Sequence, residues 1–280
     1  MLQEALDYFF HSFVTPKYLS KLGLIQEVVG IKYRHKRHKD QWLEHQENTR
    51  AEILKQVKGL KKKRKALVIG AGLLLDVPLK ELAAEFEEVV LTDIFFMQEA
   101  INEIKLHDNC HFVECDITSV LKEAYYLWLN TNKDKHNYNI KLRNLIHKKP
   151  TEFLMEEKLD YVVSCNLLSQ LPMAFEGFAE KHKLHDLENY ELFTNSICAN
   201  HIEYLKSFNH KTHVHLITDV EKQVYDTKGT LMQAEASNGS QDFSGFSESN
   251  SWQWLLADLG ELHKNFSLRL AVKSFTRDQT

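Results

Sequence analysis

The chain has 280 residues, of which 43% are hydrophobic, and a formal net charge of −4. That is enough to bury a full core, as one elaborated α/β domain or one domain with an appendage. The opening MLQEALDYFFHSFV carries acids where a secretory signal needs bases, and no apolar run is long enough to cross a bilayer. Four cysteines (Cys110, Cys115, Cys165, Cys198) at irregular spacings argue against a disulfide framework and a cysteine zinc site. The expectation is a soluble cytoplasmic protein with reduced thiols and no membrane contact.

Residues 1–64 read as a helical N-terminal cap. In 41–60, Trp42, Leu43, Ile53, Leu54, Val57 and Leu60 fall at spacings compatible with one helix face, packed on the sheet or over the mouth of a site. This front end is basic: residues 1–65 hold 15 Lys/Arg against 7 Asp/Glu, and the remainder 20 against 32. KYRHKRHK (32–39) and KGLKKKRK (58–65) are a possible nucleic-acid footprint, although such runs are more often solvated helix faces and linkers.

The next stretch, Lys65 to Ile94, is the most informative. Ala66–Ile69 is a continuous apolar run, the pattern of a strand buried on both faces. Gly70 and Gly72 end it in a sharp turn whose backbone N–H groups can face a polar ligand. Asp76 and Pro78 punctuate a helix start, and Leu79, Leu82, Ala83 and Phe86 recur at helical spacing. Val89–Leu91 is a second strand with Asp93 at its carboxyl end, where an acid can accept from two ribose hydroxyls. His111–Glu114 predicts a third strand ending at Cys115-Asp116. Residues 118–158 read as a partly helical insertion. Leu159–Ser164 predicts a fourth strand ending at Asn166, 187–208 a long helix, and His213–Ile217 a fifth strand ending at Asp219. The serine-rich 237–251 reads as a mobile loop. SWQWLL and SLRLAVKSF read as an antiparallel pair closing the sheet edge, joined by Gly260 to Phe266.

In an open parallel sheet the carboxyl ends of the strands share one edge, where ligands bind at the topological switch point. Gly70 and Gly72, Asp93, Asp116, Asn166 and Asp219 should therefore meet in one site. Each taken singly is also an ordinary loop cap.

The arrangement resembles the class I S-adenosylmethionine-dependent methyltransferases over roughly residues 65–280. VIGAG (68–72) looks like their glycine motif, LTDI (91–94) their ribose motif and CDI (115–117) their adenine motif. LDYVVSCNLLSQLP (159–172) looks like the strand and turn beside the transferable methyl. The resemblance implies a Rossmann-like seven-stranded, mostly parallel sheet with a reversed antiparallel C-terminal strand. It also implies S-adenosyl-L-methionine as cofactor, held by Gly70, Ala71, Gly72, Asp93, Ile94, Asp116, Ile117 and Asn166. More narrowly, Trp42-x-x-His45, GAGLLLDVPL and the late Trp-x-Trp resemble a bacterial methyltransferase-like group. Val68 and Leu74 stand where the family often has an acid and a third glycine, and Asp76 is the candidate to replace the missing acid.

Asn166 and Asp219 are the candidate catalytic residues. Ser169, Gln170, Trp252, Trp254, Arg37 and His45 are candidates to contact the acceptor, expected to be a small molecule. The alternatives are a non-catalytic module that binds the cofactor, a nucleic-acid methyltransferase, and an NAD or FAD oxidoreductase. GAGLLL lacks the third glycine of a dinucleotide fingerprint, which weakens the last of these. Fifteen histidines, among them His213-x-His215 and His107 with His111, occur without a carboxylate or cysteine pattern, so no metal is expected.

Overall fold

The structure is a computed structural model and describes residues 2–237 and 241–278. Helices α1 (Leu2–Val14), α2 (Lys17–Lys21), α3 (Leu24–Arg37) and α4 (Lys39–Lys58) come first. The body then alternates β1 (Lys65–Ile69), α5 (Leu79–Glu85), β2 (Glu88–Asp93), α6 (Gln98–Ile104), β3 (Cys110–Glu114), α7 (Leu121–Asn130), α8 (Lys135–Leu142) and β4 (Leu159–Cys165). It continues with α9 (Met173–His182), α10 (Tyr190–Lys206), β5 (His213–Asp226), β6 (Leu231–Ala236), β7 (Phe246–Ala257) and β8 (Phe266–Arg277).

The strands form one sheet in the order β3-β2-β1-β4-β5-β8-β7, with β6 added to β5. The first four pairings, β3 through β5, run parallel, whereas β8 lies antiparallel between β5 and β7. The apolar run of β1 divides as a strand buried on both faces must. Leu67 and Ile69 enter the core built with α7, α9 and α10, and Ala66 and Val68 enter the core under α4, α5 and α6. Burial of each large aliphatic side chain contributes about 1.5–3 kcal/mol. Residues 118–158 supply α7 and α8, whose Leu121, Ala124, Trp128, Tyr138 and Leu142 are part of the first core rather than an external excursion.

Helix α4 buries Trp42, His45, Gln46, Thr49, Ile53 and Val57 and lies along β7. Trp42 Nε1 donates to the Leu256 carbonyl at 3.1 Å. A separate apolar cluster joins Leu19, Ile25, Val29 and Tyr33 of α2 and α3 to Phe95 and Met97, just beyond β2. The front helices thus cover the carboxyl end of β2.

Three expectations are corrected. Strand β5 does not stop at Ile217: it continues to Asp226, so Asp219 lies within it, at a bulge before Glu221. Ser247–Ser251 belong to β7 rather than to a loop, while 238–240 of the serine-rich stretch lie outside the described residues. The sheet has eight strands, because residues after Asp226 turn back as β6 and pair with β5. That hairpin takes the side of β5 that β4 occupies lower down. Cys165↔Ile217 is the last β4 pair, and pairing with β6 begins at Glu221↔Ala236.

Candidate functional site

The chain visits β1, β2 and β3 on one side and then crosses to β4, so the switch point lies between β1 and β4. Gly70 turns there with φ +86, and a Cβ on it would lie 2.7 Å from the Cys165 carbonyl oxygen. At Gly72 a Cβ would lie 2.9 Å from Asp93 Oδ2. Only glycine lets the two strand ends approach this closely. The Gly70 and Ala71 N–H groups donate to the Thr92 carbonyl at 2.9 and 3.2 Å, and the Gly72 N–H donates to Asp93 Oδ2 at 2.8 Å. Asp93 Oδ1 accepts from the Ile94 N–H at 2.7 Å. The carboxylate therefore faces the glycine turn. Burial pushes its pKa up to about 6, against the backbone donors Gly72, Ile94 and Phe95. Leu74, in the place of the family's third glycine, keeps a left-handed backbone at φ 57. Ser119 (φ 59) and Asn166 (φ 49) do likewise after β3 and β4.

Asp116 has a structural task. Its Oδ1 accepts from the Thr118 N–H and hydroxyl, and its Oδ2 accepts from the Lys122 N–H at 3.1 Å, which caps the first turn of α7. Ile117 is buried in the core, and Ile94 packs against both that core and the cluster under α2 and α3. Asp76 does not cap α5, whose N-cap residue is Pro78 and has no side-chain cap bond. Asp76 instead accepts from the Asn166 amide at 2.9 Å, with His45 Nε2 at 3.7 Å. Burial raises the Asp76 carboxyl, but His45, Asn166 and Arg50 outweigh it and hold the group below its ordinary value.

His45 is 1% exposed. Its Nδ1 accepts from the Trp252 indole N–H at 3.0 Å, and Trp254 stacks on its ring at 3.9 Å between centroids. His45 Nε2 lies 3.2 Å from the Asn166 amide nitrogen and 3.7 Å from Asp76 Oδ2. Both tryptophans thus contact α4, and Trp254 also meets Trp42 edge-on at 5.1 Å. Ser169 donates to Asp219 Oδ1 at 2.5 Å, and Gln170 Nε2 donates to the Asn166 carbonyl at 2.6 Å. Arg37 is held away from this cluster by Glu261 at 2.6 Å.

Thr49 joins the group, 3.4 Å from the Asn166 amide nitrogen, and was missed in the sequence. Its signal was there: His45, Thr49 and Glu52 are polar residues spaced three and four apart, and all are buried on the α4 face that carries Trp42 and Ile53. Part of each basic cluster is held in ion pairs. Lys63, Arg64 and Lys65, at the amino end of β1, bond Glu85, Asp160, and both Glu88 and Glu156. Lys32 bonds Asp7 and Glu99. His215 is bonded to Tyr161 and Ser274, and His213 to Gln56.

A parallel sheet that switches between β1 and β4, with the reversed β8 inserted between β5 and β7, decides the architecture. The strand order and the reversed strand are those that the resemblance to the class I methyltransferases implies for a Rossmann-like sheet. No family model and no curated protein matches the chain. Among solved structures it is similar to the DhpI-SAM-HEP complex, at 12% identity over 95% of this chain and 100% of that one, with a TM-score of 0.36. It is also similar to 1,6-didemethyltoxoflavin-N1-methyltransferase of Burkholderia thailandensis with bound 1,6-didemethyltoxoflavin and S-adenosylhomocysteine. That match has 10% identity over 89% of each chain and a TM-score of 0.37. The 23S rRNA methyltransferase ErmE gives 11% identity over 82% of this chain and 68% of that one, with a TM-score of 0.31. The sheet puts Gly70–Gly72, Asp93 and Asn166 around one switch point, with Asp116 on the same edge.

Proposed function

We propose that the protein is an S-adenosylmethionine-dependent methyltransferase acting on a small molecule. The observation that carries this reading is the Asp93 carboxylate, aimed at Gly72 across the switch point from Asn166. Asp93 retains acceptor capacity beyond its backbone bonds, which suits a ribose diol. Ile94 offers apolar surface for a base, with Asp116 on the same edge. The tight Gly70–Gly72 cradle suits the sulfur-bearing chain beside it. The front helices α1–α3 act as a cap over the nucleotide edge, on a domain that begins at Lys65.

The cofactor would supply a methyl group already activated by a positive sulfonium, so this chain has chiefly to align an acceptor and exclude water. Asp219, bonded to Ser169 beyond the end of β4, is the carboxylate we assign to take the acceptor's proton. The β5–β6 hairpin stands past the end of β4 and would wall the acceptor side. A small acceptor is favoured over nucleic acid because the 58–65 cluster sits at the amino end of β1, on the edge opposite the crevice, with Lys63, Arg64 and Lys65 in ion pairs. No helix among the described residues is long and apolar enough to cross a membrane. The four unpaired cysteines suit a reducing cytoplasm.

A thermal-shift panel of S-adenosylmethionine, S-adenosylhomocysteine, NAD and FAD tests the reading. The first two should raise the melting temperature. A rise with NAD or FAD alone would replace this function with redox chemistry.

A further inference from the structure

Asn166 is 7% exposed, and all but one of its hydrogen-bonding groups are engaged. Its N–H donates to the Ile217 carbonyl at 2.8 Å, its carbonyl accepts from Gln170, and its amide nitrogen donates to Asp76 at 2.9 Å and also meets His45 Nε2 at 3.2 Å and Thr49 at 3.4 Å. Its Oδ1 is buried and has no partner. Turning the amide over would not relieve this, because the oxygen would then lie 2.9 Å from the Asp76 carboxylate. A buried acceptor left unmatched is costly, which makes it a mark of a group completed by something else.

Two donors on the adjoining face of α4 are in the same condition. Gln46 is 5% exposed and its Nε2 has no partner. Arg50 holds the Leu75 carbonyl through Nη2 at 2.5 Å, but its buried Nε has none. Positions 45, 46, 49 and 50 lie on one side of a helix, from which His45 faces Asp76 and Arg50 holds Leu75 in the loop that follows the glycine turn. His35 of α3 ties the group together: burial lowers its pKa, opposed by the field of Asp76 and by a hydrogen bond from its ring to Gln46, and it also senses Arg50. Unmatched acceptor and unmatched donors thus stand beside one ionised carboxylate and one guanidinium.

That pairing of opposite needs fits a zwitterion. We propose that Asp76, Asn166, Gln46 and Arg50 form the seat of an amino-acid head group, with the ammonium on Asp76 and Asn166 Oδ1 and the carboxylate on Arg50 and Gln46. The inference rests on the methyltransferase reading and assigns this seat to the methionine end of the cofactor, a task for which Val68 has no carboxyl. His45 and Trp252 are positioning residues. Trp252 holds His45 through Nδ1, and His45 in turn faces Asp76. Helix α4 is then part of the binding site and not only its cover.

The test compares S-adenosylhomocysteine with 5′-methylthioadenosine, which keeps the nucleoside and thioether but lacks the head group. Calorimetric titration of wild type, Asp76→Asn and Arg50→Gln should show S-adenosylhomocysteine binding weakened about ten- to hundredfold in each variant, as for loss of a charged hydrogen bond. Binding of 5′-methylthioadenosine should be unchanged, which also reports that the variants fold. Unchanged S-adenosylhomocysteine affinity, or an equal loss for both ligands, would overturn the seat alone. Wild type that binds neither ligand would overturn the methyltransferase reading and the seat with it.

Discussion

Asp93 couples its charge to its task. A carboxylate whose folded pKa is pushed up to about 6, above its ordinary value of 3.8, is disfavoured as the anion in the folded protein. Its contribution to stability therefore falls as pH rises from about 4 through about 6, because the folded state holds the proton that the unfolded state has released. Ribose hydroxyls need the ionised form, so affinity for S-adenosylhomocysteine should increase as pH climbs through about 6, with proton release on binding below that pH. Calorimetry in buffers of different ionisation enthalpy measures that release; pH-independent affinity from 5 to 8 would contradict the assignment. This residue was legible in the sequence because glycine and a strand-ending acid carry their meaning locally. Asn166 was legible only as a position. Its partners His45, Thr49 and Asp76 come from 90 or more residues away, and no local pattern announces such a convergence.

Helix α4 is anchored by a buried relay that crosses four strands. Tyr161 donates to His215 Nδ1 at 2.7 Å, His215 Nε2 to Ser274 at 2.7 Å, Ser274 to Ser249 at 2.8 Å, and Ser249 to Glu52 of α4 at 2.9 Å. Every donor points the same way, toward a carboxylate, so the bonds reinforce one another. Ser274→Ala leaves His215 Nε2 without an acceptor and should cost about 1–3 kcal/mol in urea unfolding. An unchanged midpoint would mean that the relay holds nothing. Burial drives His215 down to about 3 and His201 to about 4, so each is neutral when folded. Stability from these two is complete above about 6.5 and is lost as pH falls toward those values, because the unfolded chain takes up the protons. The extension of β5 shows why some elements escaped the sequence. Residues 221–226 and 231–236 make a largely solvated hairpin, without the apolar run that marks a buried strand. Shortening that hairpin to a tight turn should alter acceptor use and leave S-adenosylhomocysteine affinity intact. A parallel loss of both would place the hairpin at the cofactor instead.

At the scale of the whole molecule, the parallel half of the sheet could be read from alternating apolar runs and helix periods, and so could the reversal at its far edge. The arrangement of α1–α3 over Phe95 and Met97 could not, because it depends on which surface a short apolar stripe happens to find. The account stands or falls on one crevice, and titration of the full chain with S-adenosylhomocysteine, wild type against Asp93→Ala, addresses it most directly. The account predicts one site per chain in the wild type and affinity reduced by about 1.5–3 kcal/mol for each charged hydrogen bond lost in the variant. No binding to the wild type, or equal binding to both proteins, would contradict it.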